Sequence, residues 1–441
     1  MSALVAALHP DRLSRFIAVA REEGIGLAFR KARQKLSHLR TGQVPSSLGH
    51  AASGRGSRSA GRFALSGLWS DLAQSGAFHG AAAPAVLRKT RNVAMIGDLN
   101  LPQCRKYRVE QMDEIWGAEG ASYRFAHYED VPRCLDILQT ASHLTLYRLG
   151  RGDLLTMYLY EARRLGLPVL YDIDDPLFSV AAYQTYSNMS VVPSALKDHF
   201  LAEAPLYAEA MNLADIVSVS TPGLAEHAAL HSARPTLVRR NFADRATLEA
   251  GKRAMACASR DAEAFTVAVA SGSKGHEADF ALIRESIASF LAASKNRRLL
   301  VLGHLDMEDW DGLQGQIETH PFRNYDEYLE VLARADCAVM PLTDDLFNQC
   351  KSAVRVVDAF AAGVPAVVSN VGDLAAPIEV CRSGYVVEGP EGWCRALDRM
   401  ASDRKATAKM RCAARQDIES RWSARVDWPV VDPELGHWLW G

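Results

Sequence analysis

The stretch ADCAVMPLTDDLFNQCKSAVRVVDAFAAGVPAVVSN, from Ala335 to Asn370, is patterned as a strand, a polar loop, a helix and a second strand. The apolar run 335–342 is typical of a strand that is buried on both faces of a parallel sheet. A helix is predicted next, because Gly363 follows its expected end and Pro365 blocks its continuation. Residues 366–369 then form the following strand. The stretch therefore predicts an α/β domain with a parallel sheet.

Lys351 and Ser352 stand where this helix is expected to begin. In such a unit the helix amino terminus faces the ligand crevice, where free N–H groups and the helix dipole favour an anion. Lys351, Arg355 and Asp358 are spaced i, i+4 and i+7, which predicts a single helix face. Two cations and one carboxylate on that face suit a nucleotide diphosphate with a ribose beyond it. An ordinary solvated helix face has the same spacing and remains the alternative.

The segment FNQCKSAVRVVDAFAAGVPAVVS resembles the donor-site segment of GT-B glycosyltransferases, in particular a bacterial branch of the large retaining family often called family 4. Asn348, Lys351, Ser352 and Asp358 match the branch motif. The resemblance implies that Lys351 and the nearby backbone hold the donor diphosphate, and that Asp358 accepts hydrogen bonds from the ribose hydroxyls. The match departs from the commoner Glu-x7-Glu pattern, since Cys350 stands in the first Glu register and Asp358 is one methylene shorter than the second Glu.

Composition limits the class of protein. The 441 residues suffice for two domains with separate cores, and 48% hydrophobic with 23% charged residues is typical of a soluble globular chain. A net charge of -2 provides no general attraction to nucleic acid. The eight cysteines include no Cys-x-x-Cys pair, which predicts reduced thiols and no zinc site. Without a long apolar run or a secretory signal, the chain is expected to be cytoplasmic.

Residues 1–90 differ from the rest and are predicted to be a basic helical extension with a flexible linker. Residues 11–40 fit amphipathic helices, whereas residues 41–62 are rich in Gly, Ser, Ala and Arg. Through residue 62 there are eleven Lys and Arg against three Asp and Glu. Such a segment can dock on the anionic inner face of the cytoplasmic membrane. A partner-docking helix or a solvated extension is the alternative.

Residues 91–245 are expected to form the first Rossmann-like domain, which would bind the acceptor. Strands alternate with helices throughout, and this order predicts a doubly wound parallel sheet. The predicted strands span residues 91–97, 123–128, 143–148, 169–172, 216–220 and 235–240, and the predicted helices span residues 109–119, 133–141, 154–165 and 196–213.

A basic loop, DLNLPQCRKYR, follows the first strand of this domain. It places Arg105, Tyr107 and Arg108 at the edge where ligands bind in open α/β sheets. Cys104, Tyr107 and Arg108 also match a Cys-x-x-Tyr-Arg element of the resembling branch. We predict that Arg105, Tyr107 and Arg108 bind the acceptor, with basic capping of a surface helix as the alternative.

Three acids, Asp172, Asp174 and Asp175, lie at the carboxyl end of the strand predicted at 169–172, in the segment VLYDIDDPLF. Clustered carboxylates raise one another's pKa and usually serve a ligand. A divalent metal, acceptor hydroxyls, general base catalysis and structural capping are all compatible with this cluster. The resemblance places the Asp-x-Asp-Asp element at the interdomain cleft, so we predict acceptor-side or catalytic roles for Asp174 and Asp175 and no metal. The Tyr- and Ser-rich residues 181–194 are predicted to be mobile.

Residues 246–421 are expected to form the second domain, which would bind the donor. After a strand at 265–270, the loop SGSKGH has small residues that let backbone amides approach a phosphate and a lysine that can neutralise it. The resembling branch has a Ser-Gly-x-x-x-His loop here. Further expected features are a strand at 298–303, a nucleobase wall at 322–325 and a last helix at 393–421. The donor-binding residues predicted in this domain are Gly272, Ser273, Lys274, His276, Phe322, Tyr325, Asn348, Ser352, Arg355 and Asp358.

The tail at residues 422–441 contains four Trp residues, and the resemblance implies that it crosses back to the first domain. A partner surface is the alternative for these aromatic side chains.

Together these features predict a GT-B fold, with two doubly wound Rossmann-like domains facing each other across a cleft. The predicted function is metal-independent transfer of a sugar from a nucleotide-diphosphate-sugar to a saccharide or lipid-linked saccharide in bacterial surface polysaccharide or glycan assembly. The resemblance implies that the transfer retains the configuration of the anomeric carbon. The donor is a substrate and no cofactor is expected. Lys351, Asp174 and Asp175 are the predicted catalytic residues. The alternatives are a non-catalytic GT-B scaffold of an envelope-assembly complex and a nucleotide-sugar 2-epimerase.

Overall fold

The structure, a computed structural model, describes only part of the chain. The described residues are 90–271, 276–305, 307, 310, 312–321, 323–424 and 430–440. The extension predicted at residues 1–90 lies outside this part, apart from residue 90. The described part contains two sheets, each of six parallel strands. Helices connect the strands, so the predicted α/β class with two doubly wound domains is confirmed.

The first sheet has the order β2-β1-β3-β4-β5-β6. Its strands are β1 (Asn92–Gly97), β2 (Ser122–His127), β3 (His143–Tyr147), β4 (Val169–Ile173), β5 (Ile216–Val219) and β6 (Thr236–Val238). Every residue of β3 and β4 is buried, as expected for central strands that are covered by helices on both faces. The helical segments are Pro102–Cys104, the π-helix Arg105–Glu110, Gln111–Ala118, Val131–Thr140, Asp153–Arg164, Val180–Thr185, the 3-10 helix Ser187–Val191, Ser194–Leu213 and Pro222–Ala228.

The second sheet has the order β12-β11-β10-β7-β8-β9. Its strands are β7 (Phe265–Ser271), β8 (Arg297–Gly303), β9 (Ile317–His320), β10 (Cys337–Met340), β11 (Ala366–Ser369) and β12 (Gly384–Val387). The helical segments are Arg245–Cys257, Glu277–Ala292, the 3-10 helix Gln314–Gln316, Tyr325–Leu332, Leu346–Gln349, Val354–Ala361, Ala375–Cys381, Gly389–Ser402, Arg404–Arg421 and Glu434–Trp440. The two edge strands, β9 and β12, were not predicted, because each has only four residues and lacks a continuous buried run.

The helix after β10 ends as predicted but begins later. Gly363 has a φ of +65°, as required at a left-handed helix end, and residues 366–369 form β11. The prediction of a start near Lys351 is wrong, since Asp345 caps a separate short helix, Leu346–Gln349, and the main helix begins only at Val354. Lys351 and Ser352 lie in the non-helical connection between these two helices.

Two other helix predictions need correction. The predicted loop 98–108 is helical from Pro102 onward, and the chain continues through a π-helical turn, Arg105–Glu110, into the helix that was predicted to begin at residue 109. The single helix predicted for residues 393–421 is divided at Asp403, which caps the second part through its side chain. Both errors concern helix boundaries, which are the least reliable part of a prediction from sequence.

Residues 181–194 are not an irregular segment. Ser179 caps the helix Val180–Thr185, and a 3-10 helix, Ser187–Val191, follows it. Tyr186 stacks on Phe347 of the second domain at a ring-centroid distance of 4.3 Å. The segment therefore belongs to the domain interface.

The described part of the tail lies against the first domain. Arg91 Nε donates to the carbonyl oxygen of Leu439 at 2.8 Å, and the rings of Trp438 and Trp116 are 6.0 Å apart. Among the described residues, no helix combines the length and apolar character that a bilayer span requires.

Candidate functional site

The carboxyl end of β4 and the loop before the helix Val354–Ala361 meet at the interface of the two domains. Lys351 Nζ lies 2.9 Å from Asp175 Oδ1, so the structure joins the two motifs that the sequence analysis singled out. The side chains remain partly exposed, at 25% for Lys351 and 19% for Asp175. Burial alone would raise the pKa of Asp175, but the charges of Lys351 and Arg148 hold it below its ordinary value. The pair is therefore ionised and faces the cleft.

Asp172 has a different environment from the other two acids. Its side chain is 1% exposed and receives two hydrogen bonds from Arg108, at 2.9 and 2.6 Å. Arg239 Nη2 adds a third contact at 3.4 Å. Despite full burial, these guanidinium groups keep the pKa of Asp172 below its ordinary value. Asp172 therefore serves a buried ion-pair network inside the first domain.

Arg108 belongs to the same network. Its Nη1 also donates to the carbonyl oxygen of Arg239 at 2.6 Å and to Asn241 Oδ1 at 3.1 Å. The side chain is 0% exposed, which leaves no surface of Arg108 for an acceptor. The acceptor-binding role predicted for Arg108 therefore does not fit its position.

Asp174 and Asp175 share a cation that the sequence analysis did not single out. Arg148 Nη1 lies 3.4 Å from Asp174 Oδ1, and Arg148 Nη2 lies 3.8 Å from Asp175 Oδ2. Arg148 Nη1 also lies 3.0 Å from Cys104 Sγ. Burial raises the pKa of the Cys104 thiol to about 12, so this sulfur is a neutral neighbour of the ion cluster. The sequence could have indicated Arg148 by its position directly after β3, at the same sheet edge as the aspartates.

Arg148 has a strained backbone. Its φ is +51°, and the only other non-glycine residue with positive φ in the described ranges is Arg382, at a helix end. A left-handed conformation costs a residue with a Cβ roughly 1–2 kcal/mol. The conformation is held by a 3.0 Å hydrogen bond from Arg148 N to the carbonyl oxygen of Asp172 on the neighbouring strand. Such strain at a cleft often accompanies function.

Asp358 links the two domains through tyrosines. Tyr325 of the second domain donates to Asp358 Oδ1 at 2.6 Å, and Tyr107 of the first domain donates to the same oxygen. Burial raises the pKa of Asp358 to about 6, although both hydrogen bonds act to lower it. No hydrogen bond to Asp358 Oδ2 is formed by the described residues. The ribose-binding role of Asp358, which is 4% exposed, stays a prediction.

Arg105 and Lys106, the remaining basic residues of the π-helix Arg105–Glu110, lie on different sides of that helix. Lys106 Nζ is 2.6 Å from Thr247 Oγ1 and 4.5 Å from the centroid of the Tyr325 ring. Arg105 Nε donates to Glu110 at 2.8 Å, and its guanidinium lies over the ring of Phe125 on the edge strand β2. Of the predicted acceptor residues, Tyr107 contacts two predicted donor residues, Tyr325 and Asp358.

Asn348 is held by residues of the second domain, whereas Ser352 contacts the first domain. Asn348 is buried and donates to Thr343 Oγ1 at 2.8 Å and to Asp279 Oδ1 at 3.2 Å, so it shapes the loop that carries Lys351. Ser352 Oγ accepts from Asn241 of the first domain at 3.0 Å. These three hydrogen bonds tie the predicted donor loop to the surrounding protein.

The backbone under Lys351 requires a glycine. Gly372 has a φ of +61°, and a Cβ there would lie 2.8 Å from the carbonyl oxygen of Lys351. Asp373 N donates to that same oxygen at 2.9 Å, and its side chain receives two bonds from Arg240 of the first domain, at 2.8 and 3.1 Å. The loop carrying Lys351 is thus supported from both domains.

Cys350, which stands in the first Glu position of the commoner Glu-x7-Glu pattern, faces the first domain. It is 1% exposed and lies with Phe347 in the hydrophobic cluster of that domain. Its Sγ is 3.9 Å from the carbonyl oxygen of Gly223. Burial raises the pKa of the thiol to about 12. A carboxylate here would be buried near the charge of Asp175, which gives a reason for the smaller, neutral residue.

Arg355 and His276 line one recess of the second domain together with Asp279. His276 Nδ1 lies 3.0 Å from Asp279 Oδ2. Burial lowers the pKa of His276, and the charges of Arg355 and Lys351 act in the same direction, so the imidazole is neutral at pH 7. Arg355 Nη1 lies 3.4 Å from the carbonyl oxygen of Ala270. The predicted common face of Lys351, Arg355 and Asp358 is not formed, because Lys351 precedes the helix.

Asn188 of the first domain contacts Asp279, one of the residues that line this recess. Asn188 Nδ2 donates to Asp279 Oδ2 at 2.8 Å, and Asn188 Oδ1 accepts from the backbone N–H of Ala278 at 3.1 Å. Ser187 N also donates to Asp345 at 3.0 Å. No feature of the sequence indicated these contacts, because they join residues that are 90 to 158 positions apart.

The predicted donor residues Gly272, Ser273, Lys274 and Phe322 lie outside the described residues, so their roles stay predictions. Within the residues that the structure does describe, no cluster of three or more His, Cys, Asp or Glu side chains could hold a metal ion. The prediction of a metal-independent reaction is not tested by this observation.

A family model described as glycosyl transferases group 1 matches residues 267–403, within the second domain. No curated protein matches the chain. A solved glycosyltransferase from Rickettsia africae has a TM-score of 0.51 at 10% sequence identity and covers 80% of this chain and 98% of its own. This likeness supports the GT-B fold.

Two further solved structures have lower scores. Sucrose-phosphate synthase from Thermosynechococcus elongatus has a TM-score of 0.48 at 14% identity, with 78% of this chain and 96% of that chain covered. WaaG, described as a glycosyltransferase of lipopolysaccharide biosynthesis, has a TM-score of 0.45 at 12% identity, with 79% and 100% covered.

Proposed function

We propose that this chain is a retaining glycosyltransferase that moves a sugar from a nucleotide-diphosphate-sugar to a saccharide or lipid-linked saccharide acceptor in bacterial surface polysaccharide or glycan assembly. The observation that carries the proposal is the contact of Lys351 with Asp175 at 2.9 Å. It brings the predicted diphosphate-binding residue to the predicted acidic motif, at the carboxyl ends of strands in two facing sheets. The group 1 glycosyltransferase match of residues 267–403 supports it further.

In this proposal, Lys351 and Arg355 stabilise the charge that develops on the leaving diphosphate. Preorganised cations in a partly buried site are effective at this task, because little water competes for them. Ser352 lies next to Lys351, and Lys274, although not described, is proposed to add a further cation. Asp358 Oδ2 accepts hydrogen bonds from the ribose, while Tyr325 lies beside it.

The reaction exchanges one bond for another at the anomeric carbon. The bond from that carbon to the diphosphate oxygen breaks, a bond to the acceptor hydroxyl oxygen forms on the same face, and the acceptor proton passes to the leaving phosphate. Asp174 and Asp175 lie on the first-domain side, where they hold the acceptor hydroxyl. Arg105 and Tyr107 are proposed to bind more distant parts of the acceptor. No metal or cofactor takes part in the proposed scheme.

Donor binding is the first test. Thermal unfolding is measured with UDP-, GDP-, dTDP- and ADP-sugars, and a donor at 100 times its dissociation constant should add about 2.7 kcal/mol to stability. Lys351→Ala should abolish the shift, whereas Lys409→Ala, which removes an exposed lysine on a distant helix, should retain it. If no donor shifts the folded protein, or if the shift survives in Lys351→Ala, the proposed site is wrong.

Turnover separates a transferase from a scaffold. Release of nucleoside diphosphate from the stabilising donor, with and without saccharide acceptors, should be detected for the wild type. Binding without any release would favour the alternative of a non-catalytic scaffold. Formation of an epimerised donor would instead favour the nucleotide-sugar epimerase.

The basic extension is proposed to hold the protein at the inner face of the cytoplasmic membrane. Its surplus of eight positive charges through residue 62, eleven minus three, is the basis for this proposal. Full-length protein should sediment with vesicles that contain anionic lipid, and a variant without residues 1–62 should not. Equal sedimentation of the two proteins would contradict this role.

A further inference from the structure

Asp175 is shared between two cations that belong to different domains. Lys351 of the second domain lies 2.9 Å from its Oδ1, and Arg148 of the first domain lies 3.8 Å from its Oδ2. These are the two ion pairs of Asp175 within the described ranges. Lys351 is also the residue assigned to the donor diphosphate, so one cation has two competing anions.

Arg148 contacts Cys104 Sγ at 3.0 Å, but its contacts with the two aspartates are loose for a buried guanidinium. Its side chain is 6% exposed, its distances to Asp174 and Asp175 are 3.4 and 3.8 Å, and its Nε is buried without a hydrogen-bond partner. A buried donor without a partner is unfavourable, and charge-assisted bonds in proteins are usually shorter, near 2.7–2.9 Å. Arg148 therefore has unused capacity to bind a carboxylate more tightly.

We propose that Arg148 is a positioning residue that holds Asp174 and Asp175 in place once the diphosphate of the donor draws Lys351 away from Asp175. This inference rests on the proposed function. In the ligand-free protein, Lys351 and Arg148 share the charge of Asp175. In the donor-bound protein, Lys351 contacts the diphosphate, and Arg148 is the cation that remains beside both aspartates.

The backbone of Arg148 fits this role. The left-handed conformation, with a φ of +51°, follows directly after β3, and the hydrogen bond from its N–H to Asp172 joins this turn to the strand that leads to the two aspartates. The guanidinium and the aspartates are therefore mounted on neighbouring strands of one sheet. Lys351 is mounted on the other domain, so its departure need not disturb the Arg148 contacts.

The test measures binding of a nucleoside diphosphate, which requires neither acceptor nor turnover. UDP, GDP, dTDP and ADP are titrated calorimetrically, and the one that binds the wild type is used for all variants. Arg148→Met should weaken binding about tenfold, because Asp175 would be left without a cation in the bound state. Asp175→Asn should tighten binding, because Lys351 no longer has a competing anion.

The double variant decides the question. If Arg148 acts through Asp175, then Arg148→Met should change binding by less than about twofold in the Asp175→Asn background. A tenfold loss that persists there would mean that Arg148 acts on the nucleotide or on the fold, and would overturn the inference. If the nucleotide binds the wild type but Asp175→Asn does not rescue Arg148→Met, the inference about Arg148 is wrong and the proposed function is unaffected. If no nucleotide binds the folded wild type, the proposed function fails together with it.

Two further variants guard against a folding defect. Arg148→Gly removes the side chain and also relieves the backbone, since glycine adopts positive φ at little cost. It should reproduce the loss of binding and the rescue by Asp175→Asn. Arg382→Met is the matched control, because Arg382 also has a positive φ, of 49°, but is exposed at a helix end. It should bind like the wild type.

Discussion

Asp172 and Asp175 are three residues apart on the same sheet edge, yet their environments differ. Asp172 is 1% exposed and is bound by Arg108 and Arg239 of its own domain. Asp175 is 19% exposed and is bound by Lys351 of the other domain. Both carboxyl groups have a lowered pKa, so charge state alone does not separate them.

The difference between the two lies in what would happen if the partner left. Removing a cation from Asp172 leaves a buried charge without compensation, which is costly. Removing Lys351 from Asp175 leaves a partly hydrated carboxylate that still has Arg148 nearby. A buried pair within one domain is costly to break, whereas a partly exposed pair between domains is available for exchange with a ligand.

The largest effect is expected for Asp172→Asn. The variant leaves Arg108 and Arg239 buried with less compensation, so the free energy of unfolding should fall by about 3–5 kcal/mol. Urea unfolding followed by circular dichroism measures this loss. Asp175→Asn, the matched change three residues away, should lose less than about 1 kcal/mol. Equal losses would remove the distinction between the two acids.

A pH dependence of opposite sign separates Asp358 from Asp172. The pKa of Asp358 is raised from 3.8 to about 6, so between these values the folded state binds more protons than the unfolded state. Asp358 therefore contributes stability at low pH that is lost as the pH rises through 6, by about 3 kcal/mol in total. For Asp172, whose pKa is lowered, stability is present at neutral pH and is lost as the pH falls below its ordinary range.

Unfolding free energies between pH 4 and 7 measure this contribution. As the pH rises from 4 to 7, the wild type should lose more unfolding free energy than Asp358→Asn does. An identical pH dependence in both proteins would show that Asp358 titrates normally and that the tyrosine contacts do not bury it.

The exchangeable pair should affect turnover more than stability. Asp175→Asn is expected to lower kcat about 100-fold, because the side chain that holds the acceptor hydroxyl loses its charge. Steady-state kinetics with the identified donor and acceptor measure the change. If kcat is retained while acceptor KM rises, Asp175 only binds the acceptor and its assignment to the chemistry is wrong.

The smallest effect is expected at the interdomain contact of Asn188. Asn188→Ala removes one bond to Asp279 and one from Ala278 N, and should lower stability by about 1–2 kcal/mol. It should also weaken nucleotide binding, since Asp279 holds His276 and the loop around Asn348. Ser190→Ala, on the exposed side of the same short helix, serves as the control. Unchanged unfolding and binding would show that the contact is dispensable.

Most of the sheet strands could be predicted, because buried strands of parallel sheets are continuous apolar runs. Residues 337–340 and 366–369 are examples. The edge strands β9 and β12 escaped prediction, since half-exposed strands of four residues have no such run. The start of the helix at Val354 was missed because Asp345 caps an earlier short helix, and a local cap outweighed the expected pattern.

The candidate site was only partly predictable. Lys351 and Asp175, which the structure pairs, were singled out from residue type and position near the ends of elements, and Asp358 from its helical spacing and the resemblance. Arg108 was predicted to face a ligand, but it is buried against Asp172, because two charged residues 64 positions apart pair inside the first domain. Arg148 and Asn188 were not singled out, since their importance depends on contacts with residues distant in sequence.

The sequence by itself determined the α/β class, the two domains and the sheet edge at which charged residues gather, because apolar periodicity and helix-ending residues act locally. Only the tertiary structure decided which acids are buried and which cation each receives. The reason is that burial and pairing arise from the packing of strands and domains, which turns identical aspartate side chains into a structural ion pair at Asp172 and an exchangeable one at Asp175.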